Sequence, residues 1–231
     1  MVADPSDAFA PTDSPAPTAR MLLQGMKPTW RGIPDVIATV LAVPASAILI
    51  GMTRDGIRFP AVIYGIGLTL LFAVSATYHT PMWPLAVRRL LRRIDHSTIY
   101  ILIAATYTPP TLLIIPEPIG ARLFGVIWLA ALGGVLKSFL WPEAPRWLNT
   151  AIYIALGWVV LPFAPVVIPG YGLLNSGLLL GGGIMYTLGA VIYARRWPNP
   201  SPTRFGYHEV FHLFVIAAAA CHYLAQWRLL T

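Results

Sequence analysis

Hydrophobic residues fall in long runs along this chain, and short polar stretches that hold most of the Lys and Arg residues separate the runs. An α-helix needs about 20 apolar residues to cross the roughly 30 Å hydrocarbon core of a bilayer. Seven runs approach that length: residues 33–51, 60–79, 95–115, 121–140, 148–168, 172–194 and 207–227. The pattern predicts an all-α protein built as a seven-transmembrane helix bundle. The prolines at 109, 110, 162 and 165 predict kinks, which partner helices tolerate.

The composition supports a membrane protein. Of the 231 residues, 57% are hydrophobic and only 11% are charged, whereas a soluble domain carries about 25% charged residues. The beginning of the chain is rich in Pro, Ala, Asp, Ser and Thr and has no apolar centre, so it is not a signal peptide. We therefore predict a disordered cytoplasmic tail over residues 1–30 and a seven-span membrane domain over residues 31–231.

The basic residues predict the orientation of the bundle. Loops on the N-terminal side hold Arg20, Lys27, Arg31, Arg88, Arg89, Arg92, Arg93, Lys137, Arg146, Arg195, Arg196 and Arg204, and the opposite side holds Arg54, Arg58, Arg122 and Arg228. The positive-inside rule then predicts a cytoplasmic N-terminus and an external C-terminus. Because the net charge of +7 is spread over loops, it does not indicate a nucleic-acid partner.

Three histidines and one aspartate are predicted to meet at one depth in the membrane. His79 ends the second run, Asp95 starts the third, and His208 and His212 start the seventh. Because the runs alternate in direction, all these ends lie at the cytoplasmic side. Ser75 lies one helical turn before His79 and on the same face. Ionisable residues inside a bilayer are costly and are usually functional.

These side chains suit a zinc site. Residues at i and i+4 share one helix face, so His208 and His212 can bind one ion together with His79. Three imidazoles leave a fourth position for water, whose pKa falls toward about 7, which makes hydroxide available. Asp95 could orient that water or take its proton, and Ser75 could donate to an oxyanion or hold Asp95. The alternatives are an interfacial ion pair for Asp95 and a structural histidine cluster without metal.

Other residues have simpler interpretations. His96 lies about 100° around the helix from Asp95 and should face elsewhere, while His222 lies roughly 21 Å along the helix from His208 and should serve helix packing. The glycines 181–183 allow close helix contact or an opening for a ligand. Residues 208–212 also match the H-E-x-x-H pattern of zinc peptidases, which would make Glu209 a general base. No Asp or Glu follows Glu209 as a further ligand, so an intramembrane protease is disfavoured.

Segments 75–79, 93–109 and 208–217 resemble the bacterial hemolysin III proteins, which are grouped with the progestin and adiponectin receptors. The resemblance covers about residues 30–228. It implies a bacterial inner-membrane protein with seven helices and zinc near the cytoplasmic leaflet. The S-x-x-x-H motif of the family falls on Ser75 and His79, its aspartate on Asp95, and its H-x-x-x-H motif on His208 and His212. Adiponectin receptors are linked to ceramide hydrolysis, and the related alkaline ceramidases share the site pattern.

The combined hypothesis is an integral membrane zinc protein that hydrolyses a lipid amide or ester. In this hypothesis a membrane lipid is the substrate, and its acyl chain lies between helices. The alternative is a non-catalytic membrane-homeostasis protein with structural zinc, for which a site closed by four protein ligands would be evidence. A lytic pore is disfavoured because no span carries an extended polar face.

Overall fold

The computed structural model describes residues 27–231, which form an all-α bundle. The part described contains eight α-helices and no β-strand beyond one isolated bridge. The helices are α1 (Ile33–Met52), α2 (Arg58–His79), α3 (Leu85–Leu113), α4 (Ile119–Leu140), α5 (Arg146–Gly157), α6 (Ala164–Tyr171), α7 (Leu173–Arg195) and α8 (Tyr207–Leu230). A 3₁₀ turn over Leu161–Phe163 joins α5 to α6.

The helices account for seven membrane spans. Six segments of the described chain are long and apolar enough to cross a bilayer, with Arg146–Tyr171 counted as one of them. The seventh span is α3, which is longer but carries more polar residues. The predicted seven-transmembrane bundle is therefore confirmed, and the chain is an integral membrane protein.

Neighbours in sequence pack as neighbours in space. The pairs α1–α2, α2–α3, α3–α4 and α7–α8 share the main interfaces, and α8 also packs against α1. In addition, α3 contacts α5 and α8, which places it at the centre of the bundle. Leu, Ile and Val side chains on the outer faces are exposed, as expected for surfaces that contact lipid tails.

The fifth span is broken rather than kinked. Helix α5 ends at Gly157, and the chain passes through the 3₁₀ turn before α6 begins. Pro162 and Pro165 lack the N–H groups that would continue the helix. The Tyr107 hydroxyl satisfies two of the freed backbone groups, since it donates to Gly157 O at 2.8 Å and accepts from Val160 N at 2.9 Å. Such replacement bonds make an interrupted span tolerable inside a membrane.

Helix α3 begins ten residues before the predicted start of its span, so Asp95 lies within the helix rather than at its end. The preceding turns hold four arginines and extend the helix beyond the hydrocarbon. The helix also continues through Pro109 and Pro110. Pro110 cannot bond to Thr106 O, and the Gln226 side chain donates to that carbonyl at 3.0 Å instead.

Most of the predicted tail lies outside the described residues. Of residues 1–30, the structure describes only 27–30, which form a turn beside the α7–α8 loop. Thr29 N donates to Thr203 O and Trp30 N to Arg204 O, each at 3.1 Å. The turn and the loop thus enclose the end of the bundle where the histidines are predicted to lie.

Gly182, the middle one of the three glycines 181–183, lies where α7 and α8 are in close contact. A Cβ atom on Gly182 would lie 2.3 Å from the His222 ring and 3.0 Å from Ala218 O. Any side chain there would therefore separate α7 from α8. His222 has the predicted packing role, with Nε2 3.1 Å from Leu179 O.

Candidate metal centre

The structure brings His79, His208 and His212 together. His79 is the last residue of α2, and the other two lie one turn apart at the start of α8. One ring nitrogen from each lies within 4.8 Å of the other two, and His79 Nε2 is 3.2 Å from His208 Nε2. His79 and His212 are buried, while His208 is partly accessible from an internal chamber. Three histidines from two distant segments thus form a cluster that could hold a metal ion.

The spacing fits a tetrahedral ion. Nitrogen ligands that lie about 2.0–2.1 Å from a tetrahedral ion are about 3.3 Å from one another, close to the distance between His79 and His208. His212 Nε2 is buried and has no hydrogen-bond partner among residues 27–231. A buried polar atom without a partner is costly unless something binds it. The donor set therefore fits a metal better than it fits a closed network of hydrogen bonds.

Asp35 is a member of this site that the sequence analysis missed. It lies in the first turn of α1 and is 1% exposed, with Oδ1 2.8 Å from His212 Nδ1. The two groups are not aligned well enough for a hydrogen bond. The negative charge beside Nδ1 still favours the tautomer with its proton there, which leaves Nε2 free to bind a metal. The sequence did contain a signal for this role, because Asp35 is the one carboxylate in the apolar run 33–51.

Asp95 and Ser75 lie beside the triad. Asp95 Oδ2 is 3.9 Å from His79 Nε2, beyond direct hydrogen-bonding distance but within reach through a water. No Lys or Arg of the described chain forms an ion pair with Asp95, so the interfacial ion-pair alternative has no support. Ser75 Oγ is buried and lies close enough to Asp95 to interact with its carboxylate, although the geometry falls short of a well-formed hydrogen bond.

A chamber of about 510 Å³ opens beside the triad within the bundle. Its lining is mostly apolar and includes His208, His212 and Gln226. His212 and Gln226 are about 21 Å apart along α8. Asp35, Ser75, Asp95 and His96 contribute polar groups at the histidine end. The expectation that His96 faces elsewhere is wrong, because His96 lines the same chamber as Asp95.

Comparison with known proteins identifies the family. The family model described as "Haemolysin-III related" matches residues 24–223. The chain belongs to this family. It is 34% identical over 191 residues to Hemolysin-3 of Bacillus cereus, covering 80% of this chain and 83% of that protein. The human monocyte to macrophage differentiation factor is 33% identical over 198 residues, covering 83% and 79%. The heptahelical transmembrane protein ADIPOR2 of rice, Oryza sativa subsp. japonica, is 28% identical over 194 residues, covering 74% and 84%.

Glu209 has a structural role in this haemolysin-III-related chain. Its Oε1 accepts a hydrogen bond from Arg31 Nε, and its Oε2 accepts one from Gly206 N at 2.7 Å. The bond from Gly206 N caps the N-terminus of α8. The bond from Arg31 connects the turn before α1 to the same end of α8. Both carboxylate oxygens therefore accept hydrogen bonds from groups other than the histidine rings, which explains a carboxylate at this position without a peptidase mechanism.

Proposed function

We propose that this haemolysin-III-related protein is a zinc-dependent hydrolase of lipid amide or ester bonds. The observation that carries the proposal is the position of the three histidines at one end of a long apolar chamber. A chamber of about 21 Å exceeds the roughly 15 Å half-thickness of the hydrocarbon core, so it can hold a lipid acyl chain. Asp95 and Ser75 line the same end of the chamber as His208 and His212.

In this proposal, His79, His208 and His212 hold the zinc. When bound, the ion supplies Lewis acidity and makes a water at the site more acidic, with a pKa near 7. Asp35 acts behind the ligands, because its charge orients His212 through Nδ1. Asp35 thus supports the zinc ligands, and Asp95 remains available for the reaction.

Asp95 is the proposed general base. Its carboxylate accepts a proton from the attacking water and later returns that proton to the leaving nitrogen or oxygen. The Ser75 hydroxyl donates a hydrogen bond to the carbonyl oxygen of the scissile bond as negative charge develops there. The products are a fatty acid and an amine or alcohol. The apolar walls hold the acyl chain and exclude bulk water from the reacting carbonyl.

Fatty-acid release gives the direct test. Purified protein in detergent is supplied either with ceramide, a lipid amide, or with a phospholipid ester, and free fatty acid is measured by mass spectrometry. We expect release from at least one substrate, loss of release with a zinc chelator, and none from the variant His208→Ala/His212→Ala. Release that persists undiminished in that variant would rule out the proposed site.

A non-catalytic protein with structural zinc is the second candidate. The observation in its favour is that Asp95 Oδ2 lies only 3.9 Å from His79 Nε2. A small movement would let Asp95 complete a site of four protein ligands, which is typical of structural zinc. The two candidates differ in whether zinc binding needs the Asp95 carboxylate.

Asp35→Asn is expected to weaken zinc binding about 10–100-fold, because loss of a carboxylate behind a histidine ligand has effects of that size. Zinc affinity is measured by competition with a chromophoric chelator. Asp55→Asn is the matched control, since Asp55 is exposed and its one ion pair among residues 27–231 is with Arg58. Equal affinity in the two variants would show that Asp35 does not support the ligand set.

We also propose that the N-terminus is cytoplasmic and the C-terminus external, because basic residues are concentrated on the N-terminal side. A reporter enzyme fused to the N-terminus should be located in the cytoplasm, and one fused to the C-terminus should be located outside it. A cytoplasmic C-terminus would contradict the orientation and would place an even number of spans in the membrane.

A further inference from the structure

A second cleft lies at the membrane face that also carries the histidines, outside the bundle interior. It is an open cleft of about 600 Å³ between the N-terminal end of α5, the basic part of α3 and the C-terminal end of α7. Three guanidinium groups line it, one from each of these elements: Arg92, Arg146 and Arg196. The proposed hydrolase uses none of these residues.

Within the described part of the chain, the three arginines have no acidic partner. No carboxylate in residues 27–231 lies within 4.0 Å of any of these guanidinium groups. Among the described lining residues, Glu143 is the one acidic residue, and it is exposed. The cleft therefore carries a net positive charge that the described part of the protein does not neutralise.

Arg146 is held in place by two aromatic residues. Its Nη1 donates to the Tyr207 hydroxyl at 3.1 Å, and its guanidinium carbon lies 5.2 Å from the centre of the Tyr193 ring. These contacts reduce the freedom that the side chain would lose on binding a ligand. They leave other N–H donors of the guanidinium available.

Backbone features add to the anion-binding character of the cleft. Helix α5 starts after Pro145 without a side-chain cap from the described residues, and Arg146 and Trp147 of its first turn line the cleft. The positive end of its dipole therefore lies at the cleft. Arg196, the C-cap residue directly after α7, has φ 56°, a left-handed conformation in which glycine is usual. The chain thus has a long basic side chain where a small residue would fit the backbone better.

We propose that this cleft binds a phosphate group, either in the headgroup of an anionic phospholipid or free in solution. Guanidinium groups bind phosphate oxygens through paired hydrogen bonds. Trp147 lines the cleft and is 67% exposed, as is typical of tryptophan at a membrane interface. Basic pockets on the cytoplasmic side of membrane proteins bind anionic headgroups. The proposal does not depend on the hydrolase activity.

The test compares two double variants of the full-length protein. Arg92→Gln/Arg196→Gln removes two charges from the cleft, and Arg195→Gln/Arg204→Gln removes two exposed charges from the same membrane face outside the lining. Arg146 is left intact because of its structural contacts. Native mass spectrometry of the detergent-solubilised proteins, titrated with phosphatidylglycerol or phosphatidylcholine, gives the affinity for each lipid.

We expect the wild type and the control variant to bind phosphatidylglycerol more tightly than phosphatidylcholine. The cleft variant should lose roughly tenfold or more in affinity for phosphatidylglycerol. Added inorganic phosphate distinguishes the sources: if the lipid stays bound, the headgroup is the ligand, and if phosphate displaces it from the cleft, free phosphate is the ligand. Equal affinities in the two double variants, with no displacement by phosphate, would overturn the proposal.

Discussion

Purified protein is expected to carry about one zinc ion per chain, and His208→Ala/His212→Ala is expected to carry almost none. The double variant removes two of three nitrogen ligands from one face of α8, and a single histidine binds zinc weakly. Metal content is measured by plasma mass spectrometry after exhaustive dialysis. Circular dichroism of the same samples checks that the helices remain intact.

His222→Ala is the matched control for this measurement. It removes a histidine from the same helix, but His222 lies roughly 21 Å from His208 and contacts Leu179 O and Gly182 instead. The control should retain its zinc although it loosens the contact between α7 and α8. Full zinc retention after loss of both His208 and His212 would refute the assignment. Loss of zinc from His222→Ala in a folded protein would show that the site extends further along α8 than the structure indicates.

The sequence was most informative about the membrane spans, which are marked by long apolar runs. Long apolar runs predict the spans, because a helix is the only compact way to satisfy the backbone of a 20-residue segment in lipid. Alternating direction then predicts that His79 and the start of α8 lie at one depth. The resemblance to hemolysin III proteins, based on three short segments, is confirmed by the family match over residues 24–223.

The features that were missed depend on contacts between distant segments. Asp35 is separated from His212 by most of the chain, and only the packing of α1 against α8 makes them neighbours. The start of α3 was placed too late because hydropathy marks the edge of the hydrocarbon and not the end of a helix. The break in the fifth span after Gly157 was also missed, because it is stabilised by a hydrogen bond from Tyr107, which lies in the third span.

Asp95→Asn is expected to abolish most lipid hydrolysis while zinc remains bound. The substitution keeps the shape of the side chain but removes the group that accepts a proton from water. Loss of a general base typically lowers the rate about 10²–10⁴-fold. The measurements are fatty-acid release from ceramide or a phospholipid ester, together with zinc content of the same preparation. Retained zinc would show that the Asp95 carboxylate is not needed as a ligand.

Glu209→Gln distinguishes a role in chemistry from a role in folding. Glutamine still offers an oxygen to Gly206 N but loses the charge that pairs with Arg31. We expect about 1–3 kcal/mol lower stability, seen as a lower Tm, with zinc and turnover largely retained. If Glu209→Gln abolishes hydrolysis and Asp95→Asn does not, the base is assigned to the wrong carboxylate. If Asp95→Asn loses its zinc and the wild type hydrolyses neither lipid, Asp95 is a fourth ligand and the zinc is structural.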